Sequence, residues 1–377
     1  MLVLLPTSSA LFPTAAQPLG RRLLDAALNS PLYRAVLVPQ AKRTMVSTAE
    51  QNGVPWSDAL EWIQSQGPWS LPDGEAVSAP EYYRQPFHAY EMGNLCWEAA
   101  LEGEIASRAV GARNFPAAGA DGELAFRGAF DEALASMGAT VPDGGRVVDL
   151  GCGSGISTRR IAAAWPQAES VVGIDLSPHF IAVGQRLQEL GCAQAAAGHG
   201  AAATWRWVNP AEEYADPRVS LTLGDAATTR LPDGSADVVS LSLVIHELPP
   251  SATVDVCAEA LRLLKPGGQL WVTEMDFETE GFTKLRANPL LFSLIRSTEP
   301  YLDVYADWMP QLPSALAEIG FGPVRLAAAT GRHFALVATK PAPGQAGMAP
   351  GEIDDRRQQT AKEDTHLKTW EAKKGGS

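Results

Sequence analysis

The sequence predicts an α/β protein: a mostly parallel sheet of seven strands with an antiparallel hairpin at its edge, preceded by a helical region. Three observations carry this. From about residue 144 to 341, short β-branched runs alternate with helical patterns. Those runs are apolar throughout, the mark of strands covered on both faces. The last two, VRLAAAT and HFALVATK, are separated only by Gly331-Arg332, too little chain for a parallel crossover.

The elements follow in order. RVVDLG (146–151) is a strand, Ile156–Ala164 a helix, VVGIDLS (171–177) a second strand and FIAVGQRLQEL (180–190) a second helix. After an Ala/Gly-rich insertion come the strands VSLTLGD (219–225) and ADVVSLSLVI (236–245), a helix through TVDVCAEALRLL (253–264), and the strand QLWVTEMD (269–276). SALAEIGF is a helix leading into the hairpin. Upstream, LLDAALNSPLYRAVLV and LCWEAALEGEIASRAVGA place apolar residues at three- and four-residue spacing, as helices do. LPDGEAVSAPEYY (71–83) and FPAAGADGE (115–123) break these helices apart. Four zones result: a leader (1–20), a helical cap (21–143), the α/β domain (144–341) and a polar tail (342–377) expected to be disordered.

With 377 residues and 46% hydrophobic content, the chain can bury a large core. Its net charge of −13 disfavours bulk attraction to nucleic acid or anionic lipid. No run approaches the ~18 apolar residues of a membrane helix. The four cysteines are far apart, form no CxxC pair, and read as free thiols. Up to Ala49 one acidic residue, Asp25, stands against Arg21, Arg22, Arg34, Lys42 and Arg43. That balance fits a chloroplast transit peptide; it equally fits a frayed terminus followed by a basic helix in a cytoplasmic protein.

The stretch VVDLGCGSG (147–155) carries the chemistry. Gly151 and Gly153 clear side chains from the turn so that backbone N–H groups can approach a ligand, and Gly155 lets the next helix pack close. Three carboxylates surround this turn in sequence. Asp149 lies inside the first strand, where it suits a cationic group and works against a pyrophosphate. Asp175, followed by Leu176, ends the second strand twenty residues past Gly155, the expected place for an acid that accepts from ribose hydroxyls. Asp225, with Ala226, ends the third strand, where it can receive an adenine amine. A cationic amino-acid end, a ribose and an adenine together describe S-adenosylmethionine.

The segment from about 144 to 341 resembles the class I S-adenosylmethionine-dependent methyltransferases. VVDLGCGSG matches that family's first motif and VVGIDLSP its second. LTLGDAATTRLPDGSADVVSLSLVIHEL matches its adenine-binding and fourth-strand motifs, and EALRLLKPGGQLWVTE the run into its fifth strand. The resemblance implies a Rossmann-like fold and methyl transfer. Within the family it is similar to the type 11 branch, which includes quinone-biosynthesis C-methyltransferases. PFHAYEMGNLCWEAALEGEIASRAVGARNFP further resembles poorly understood methyltransferases of plants, algae and cyanobacteria, several of them plastid proteins, which says little about substrate.

His246, directly after the fourth strand in VIHELPP, would face the transferred methyl and is the candidate base or substrate orienter, or else a structural histidine bonded to backbone. Glu247 has a lesser claim. His88, His179, His199, His333 and His366 are too dispersed in sequence to propose a metal site, although folding could bring some together. Tyr90 and Trp97, and Tyr301, Tyr305 and Trp308 in STEPYLDVYADW, are candidate pocket or lid aromatics that core packing explains equally well. The expected partner is a small-molecule acceptor. Protein methylation and a non-catalytic binding module remain alternatives, and the oligomeric state is not legible. A nicotinamide oxidoreductase is disfavoured because GxGxG replaces GxGxxG and no YxxxK pair occurs.

Overall fold

The computed structural model describes residues 31–72, 78–88, 90–196, 215–287, 292, 298–342 and 352–358. The leader (1–20), the first thirty residues of the stretch read as a transit peptide, most of the Ala/Gly-rich insertion, and His199 and His366 lie outside the described residues.

Among the described residues eight strands form one sheet: β1 (Arg146–Leu150), β2 (Ser170–Asp175), β3 (Val219–Leu223), β4 (Ala236–Ser242), β5 (Leu264–Met275), β6 (Val324–Thr330), β7 (His333–Thr339) and β8 (Ile353–Asp355). Their order is β3-β2-β1-β4-β5-β7-β6-β8. The first five are mutually parallel, while β7 pairs antiparallel with both β5 and β6. The predicted edge hairpin is therefore present. Sequence order reverses between β1 and β4 (Asp149 pairs with Ser240 and with Gly173), which opens a crevice at the strand carboxyl ends there.

The eighth strand corrects the sequence expectation of seven. Ile353–Asp355 pairs parallel with Val324–Leu326, and the Val324 N–H donates to the Glu352 carbonyl at 2.8 Å. This part of the polar tail pairs with β6 through backbone hydrogen bonds, which leave no trace in a hydropathy pattern.

Among the described residues the α-helices are α1 (Pro31–Gln51), α2 (Trp56–Ser65), α3 (Trp97–Asn114), α4 (Gly122–Ser136), α5 (Ile156–Ala164), α6 (Pro178–Ala196), α7 (Pro250–Leu263), α8 (Glu280–Arg286), α9 (Leu302–Trp308) and α10 (Leu312–Ile319). Sequence and packing agree at their ends. Pro250 opens α7, Thr279 accepts the Phe282 N–H to cap α8, and Gly320 stops α10 at φ 119°. One sheet face packs on α7, α9 and α10 through Val239, Leu241, Val256, Leu270 and Tyr305. The other packs on α4 and α5 through Phe126, Phe130, Ile161, Val171 and Trp271. A separate core of Trp56, Ile63, Leu101, Ile105, Val183 and Leu187 fastens the N-terminal cap to α6. A buried pair, Glu104 of α3 with Arg159 of α5, joins cap and sheet domain; Arg159 also donates to the Ser154 carbonyl at 3.0 Å. The cap thus grips the turn that precedes α5.

Candidate functional site

That turn runs from the end of β1 into α5. Gly151, Gly153 and Gly155 all adopt positive φ (74°, 55° and 90°), a region that L side chains enter only at a cost. A Cβ on Gly151 would fall 2.7 Å from Val244 and one on Gly155 2.8 Å from Leu221, whereas at Gly153 the nearest atom is Phe180 at 3.7 Å. The middle glycine accordingly leaves the backbone approachable.

Asp149 is buried, 1% exposed. Its Oδ2 accepts the hydroxyls of Ser157 (2.6 Å) and Thr158 (2.8 Å) from the first turn of α5. Its Oδ1 is buried without a hydrogen-bond partner. Burial pushes its pKa up against these hydroxyls and the nearby Ser240. An orphaned carboxylate oxygen beside a glycine turn is the complement of a cationic amino group.

Asp175 closes β2 and faces the same turn. Its Oδ2 accepts the Gly153 N–H at 2.8 Å, and its Oδ1 accepts the Ser177 N–H at 2.8 Å. Burial raises its pKa while these two N–H groups oppose the rise. Leu176 beside it is buried. Asp225, half-buried after β3, accepts the Ala227 N–H at 2.8 Å in a short turn that holds Ala226. The three acids thus sit where the sequence expects them, at the carboxyl ends of adjacent strands β1, β2 and β3.

The cap segment 81–97 lies over this crevice. Tyr83 directs its hydroxyl to Asp175 Oδ1 at 3.4 Å, and Asn94 donates to Glu247 Oε2 at 3.0 Å while its carbonyl accepts the Ser177 hydroxyl at 2.5 Å. Burial and the neighbouring carboxylates of Asp175 and Glu247 push the Tyr83 phenol well up.

On the β4 side, His246 sits in a single helical turn, Ile245–Glu247. Its Nδ1 lies 2.9 and 3.0 Å from the two oxygens of Glu274, a fully buried carboxylate near the end of β5. Burial alone would depress the imidazolium, but Glu274, with Glu247 and Glu299 nearby, overrides it and lifts the pKa to about 9. His246 is therefore protonated at neutral pH in this arrangement, which suits a charged orienting group better than a base. Burial raises Glu247 to about 7, opposed by His88 and His246.

His88, remote in sequence, is brought against His246 and Glu247: one ligand atom from each lies within 4.8 Å of the others. Folding thus brings together two of the histidines that are dispersed in sequence, His88 and His246. His179 and His333 stand apart from it. His179 meets Trp97 edge-on, and His333 meets Phe126.

The predicted pocket aromatics divide. Tyr90 is buried, its hydroxyl bonded to Glu102 with Lys42 5.0 Å above its ring, and so belongs to the cap core. Trp97 packs on Trp69 and His179 in that same core. Tyr305 is buried beneath the site, donating to the Met275 carbonyl at 2.5 Å, with its ring 6.3 Å from that of His246. Tyr301 reaches the Tyr82 carbonyl at 3.5 Å, joining the segment after β5 to the cap. Trp308 packs against the core under α7. Sequence reasoning missed Glu274, Tyr83 and Glu299. Glu274 carried the signal that exposed Asp149, a lone carboxylate in an apolar strand; the other two carried none.

Residues 148–272 match the methyltransferase domain family. Over 162 residues the chain is 32% identical to a ubiquinone biosynthesis O-methyltransferase of Aromatoleum aromaticum, covering 42% of this chain and 57% of that one. Over 153 residues it is 30% identical to an arsenite methyltransferase of Aquipseudomonas alcaligenes, covering 40% and 38%. The chain spans about half the length of these curated relatives. A Haemonchus contortus phosphoethanolamine N-methyltransferase 2 solved with S-adenosyl-L-methionine aligns at 17% identity and TM-score 0.39, over 62% of this chain and 60% of that one. The motif match, the strand order and the glycine turn flanked by Asp149 and Asp175 together make this α/β unit a class I S-adenosylmethionine-dependent methyltransferase domain.

Proposed function

We propose that the chain transfers a methyl group from S-adenosylmethionine to a small-molecule acceptor by in-line displacement, leaving S-adenosylhomocysteine. The observation that carries this is the unpartnered, buried Oδ1 of Asp149 beside the positive-φ glycine turn. When bound, the cofactor supplies a methyl on a positively charged sulfur, which departs as a neutral thioether without protonation.

In this reading Gly151, Gly153 and Gly155 give backbone room for the methionine portion, and Asp149 Oδ1 takes its ammonium. Asp175, with Leu176 alongside, takes the ribose, and Asp225 with Ala226 takes the base. Both Asp175 oxygens already accept backbone N–H groups, which hold the carboxylate in one orientation and favour its charged form. His246, anchored by Glu274, orients the acceptor. The chain's contribution to rate is alignment and exclusion of water, because the donor is intrinsically reactive. The cap segment 81–97 suits the second task, since Asn94 ties it to Glu247 beside the crevice.

Calorimetry tests the cofactor assignment: Asp175→Ala should weaken S-adenosylmethionine at least tenfold, and unchanged affinity refutes the ribose role. Release of label from methyl-labelled cofactor across a metabolite panel tests turnover; binding without release under every acceptor would favour a non-catalytic module.

A further inference from the structure

We propose that His88, His246 and Glu247 form a binding site for a divalent transition-metal ion, with zinc as the reference ion. One donor atom from each lies within 4.8 Å of the other two. Ligands at ~2.1 Å around a tetrahedral ion stand about 3.4 Å apart, so side-chain movement of about 1 Å closes the set.

The surroundings favour a metal site over a chance charge cluster. Ligating histidines characteristically give their second ring nitrogen to a carboxylate, and ligating carboxylates are themselves hydrogen-bonded. All three groups have such a partner here. Glu274 holds Nδ1 of His246 at 2.9 Å, leaving Nε2 for an ion that would displace the proton carried there. Glu299 lies 2.8 Å from Nε2 of His88, leaving Nδ1. Asn94 donates to Oε2 of Glu247 at 3.0 Å, leaving Oε1. The supports come from three separate parts of the chain: β5, the segment before α9, and the cap.

The backbone adds an independent observation. His88 has φ 49°, a conformation costly for a non-glycine residue, and its N–H donates to the Thr298 carbonyl at 2.8 Å. Strain of this kind persists where surrounding structure imposes it, and it gathers at functional sites. The His88 side chain is 45% exposed and that of His246 9%, so the cluster is open on the cap side and closed below. Two imidazoles and one carboxylate select zinc, iron(II) or manganese(II) over magnesium or calcium, which prefer all-oxygen shells. Three protein ligands leave a position for water or for an oxygen of the acceptor. His246 would then orient the acceptor through the ion.

The test is zinc titration of full-length, chelator-treated protein by calorimetry, with His88→Asn and Glu247→Gln alongside. Asparagine tolerates positive φ, so His88→Asn removes the imidazole while keeping the backbone, and thermal unfolding midpoints report that each variant folds. Wild type should bind one zinc per chain with submicromolar Kd, both variants at least tenfold more weakly, and Glu274→Gln ten- to a hundredfold more weakly. A wild type that takes up no zinc at micromolar concentration, or variants that bind it as tightly, overturns the site. S-adenosylmethionine titrated into the same samples separates the two proposals: cofactor binding without zinc sinks only this one, and zinc without cofactor only the other.

Discussion

The Tyr83 hydroxyl lies 3.4 Å from Oδ1 of Asp175, across 92 residues of chain. The phenol therefore occupies the side of the carboxylate where a ribose hydroxyl is proposed to bind, and the cap must release this contact when cofactor enters.

Tyr83→Phe removes the competing donor without altering the ring. A hydrogen bond of this length contributes at most ~1 kcal/mol, so S-adenosylmethionine should bind two- to fivefold more tightly in calorimetry. Weaker binding would make Tyr83 a cofactor contact instead of a competitor.

The His246–Glu274 pair makes stability depend on pH in a defined direction. His246 rises from 6.5 to about 9 on folding, so its contribution is complete below pH 6.5 and is lost as pH climbs through about 9. The full difference is roughly 3 kcal/mol. In chelator-treated protein, urea midpoints should fall between pH 6.5 and 9.5 in wild type and change little over that range in Glu274→Gln. Parallel profiles for the two proteins would contradict the pairing.

Gly155→Ala should destabilise by about 2–4 kcal/mol, combining positive-φ strain with the approach of its Cβ to Leu221 at 2.8 Å. Gly234→Ala is the control: φ is 59° there with nothing within 4 Å of the added carbon, so about 1 kcal/mol of strain alone is expected. Thermal melts of the two variants should separate these contributions, and equal losses would remove the packing role assigned to Gly155.

Glu104→Gln removes the carboxylate charge paired with the buried Arg159 guanidinium. Breaking a buried pair from one side costs about 3–5 kcal/mol, and because Arg159 also holds the Ser154 carbonyl, cofactor affinity should fall together with the melting temperature. A variant as stable as wild type would show that the cap docks through Ile63, Leu101, Ile105 and Val183 alone.

The parallel strands were legible because most of their residues are buried and apolar, Ser220 and Thr222 on the outer strand β3 being exposed. That background is what made Asp149 and Asp175 conspicuous. Glu274 was equally conspicuous in WVTEMD, but its partner His246 lies 28 residues away on another strand's end, and no local pattern links them. Tyr83 and His88 sit in short, Pro-flanked stretches with no periodicity, and they reach the site through the path the cap takes after α2. Tyr90 and Trp97 looked like pocket residues because aromatics near a predicted crevice serve either purpose; the Glu102 and Lys42 contacts of Tyr90 decide for core. The eighth strand was invisible because three residues, Ile353, Asp354 and Asp355, pair through backbone groups that every sequence possesses.

That last strand has a consequence for handling the protein. Arg357, just beyond β8, pairs with Asp276 at 3.2 Å and Glu278 at 2.8 Å, close to the base of the Glu274 strand end. A version trimmed at residue 341 would strip the cover from Val324–Leu326 and present raw amide and carbonyl groups along an apolar margin, an invitation to pair with a neighbouring copy. Domain boundaries drawn from hydropathy alone would therefore yield a self-associating fragment, visible as early-eluting species in size-exclusion chromatography, where the longer polypeptide shields its own flank.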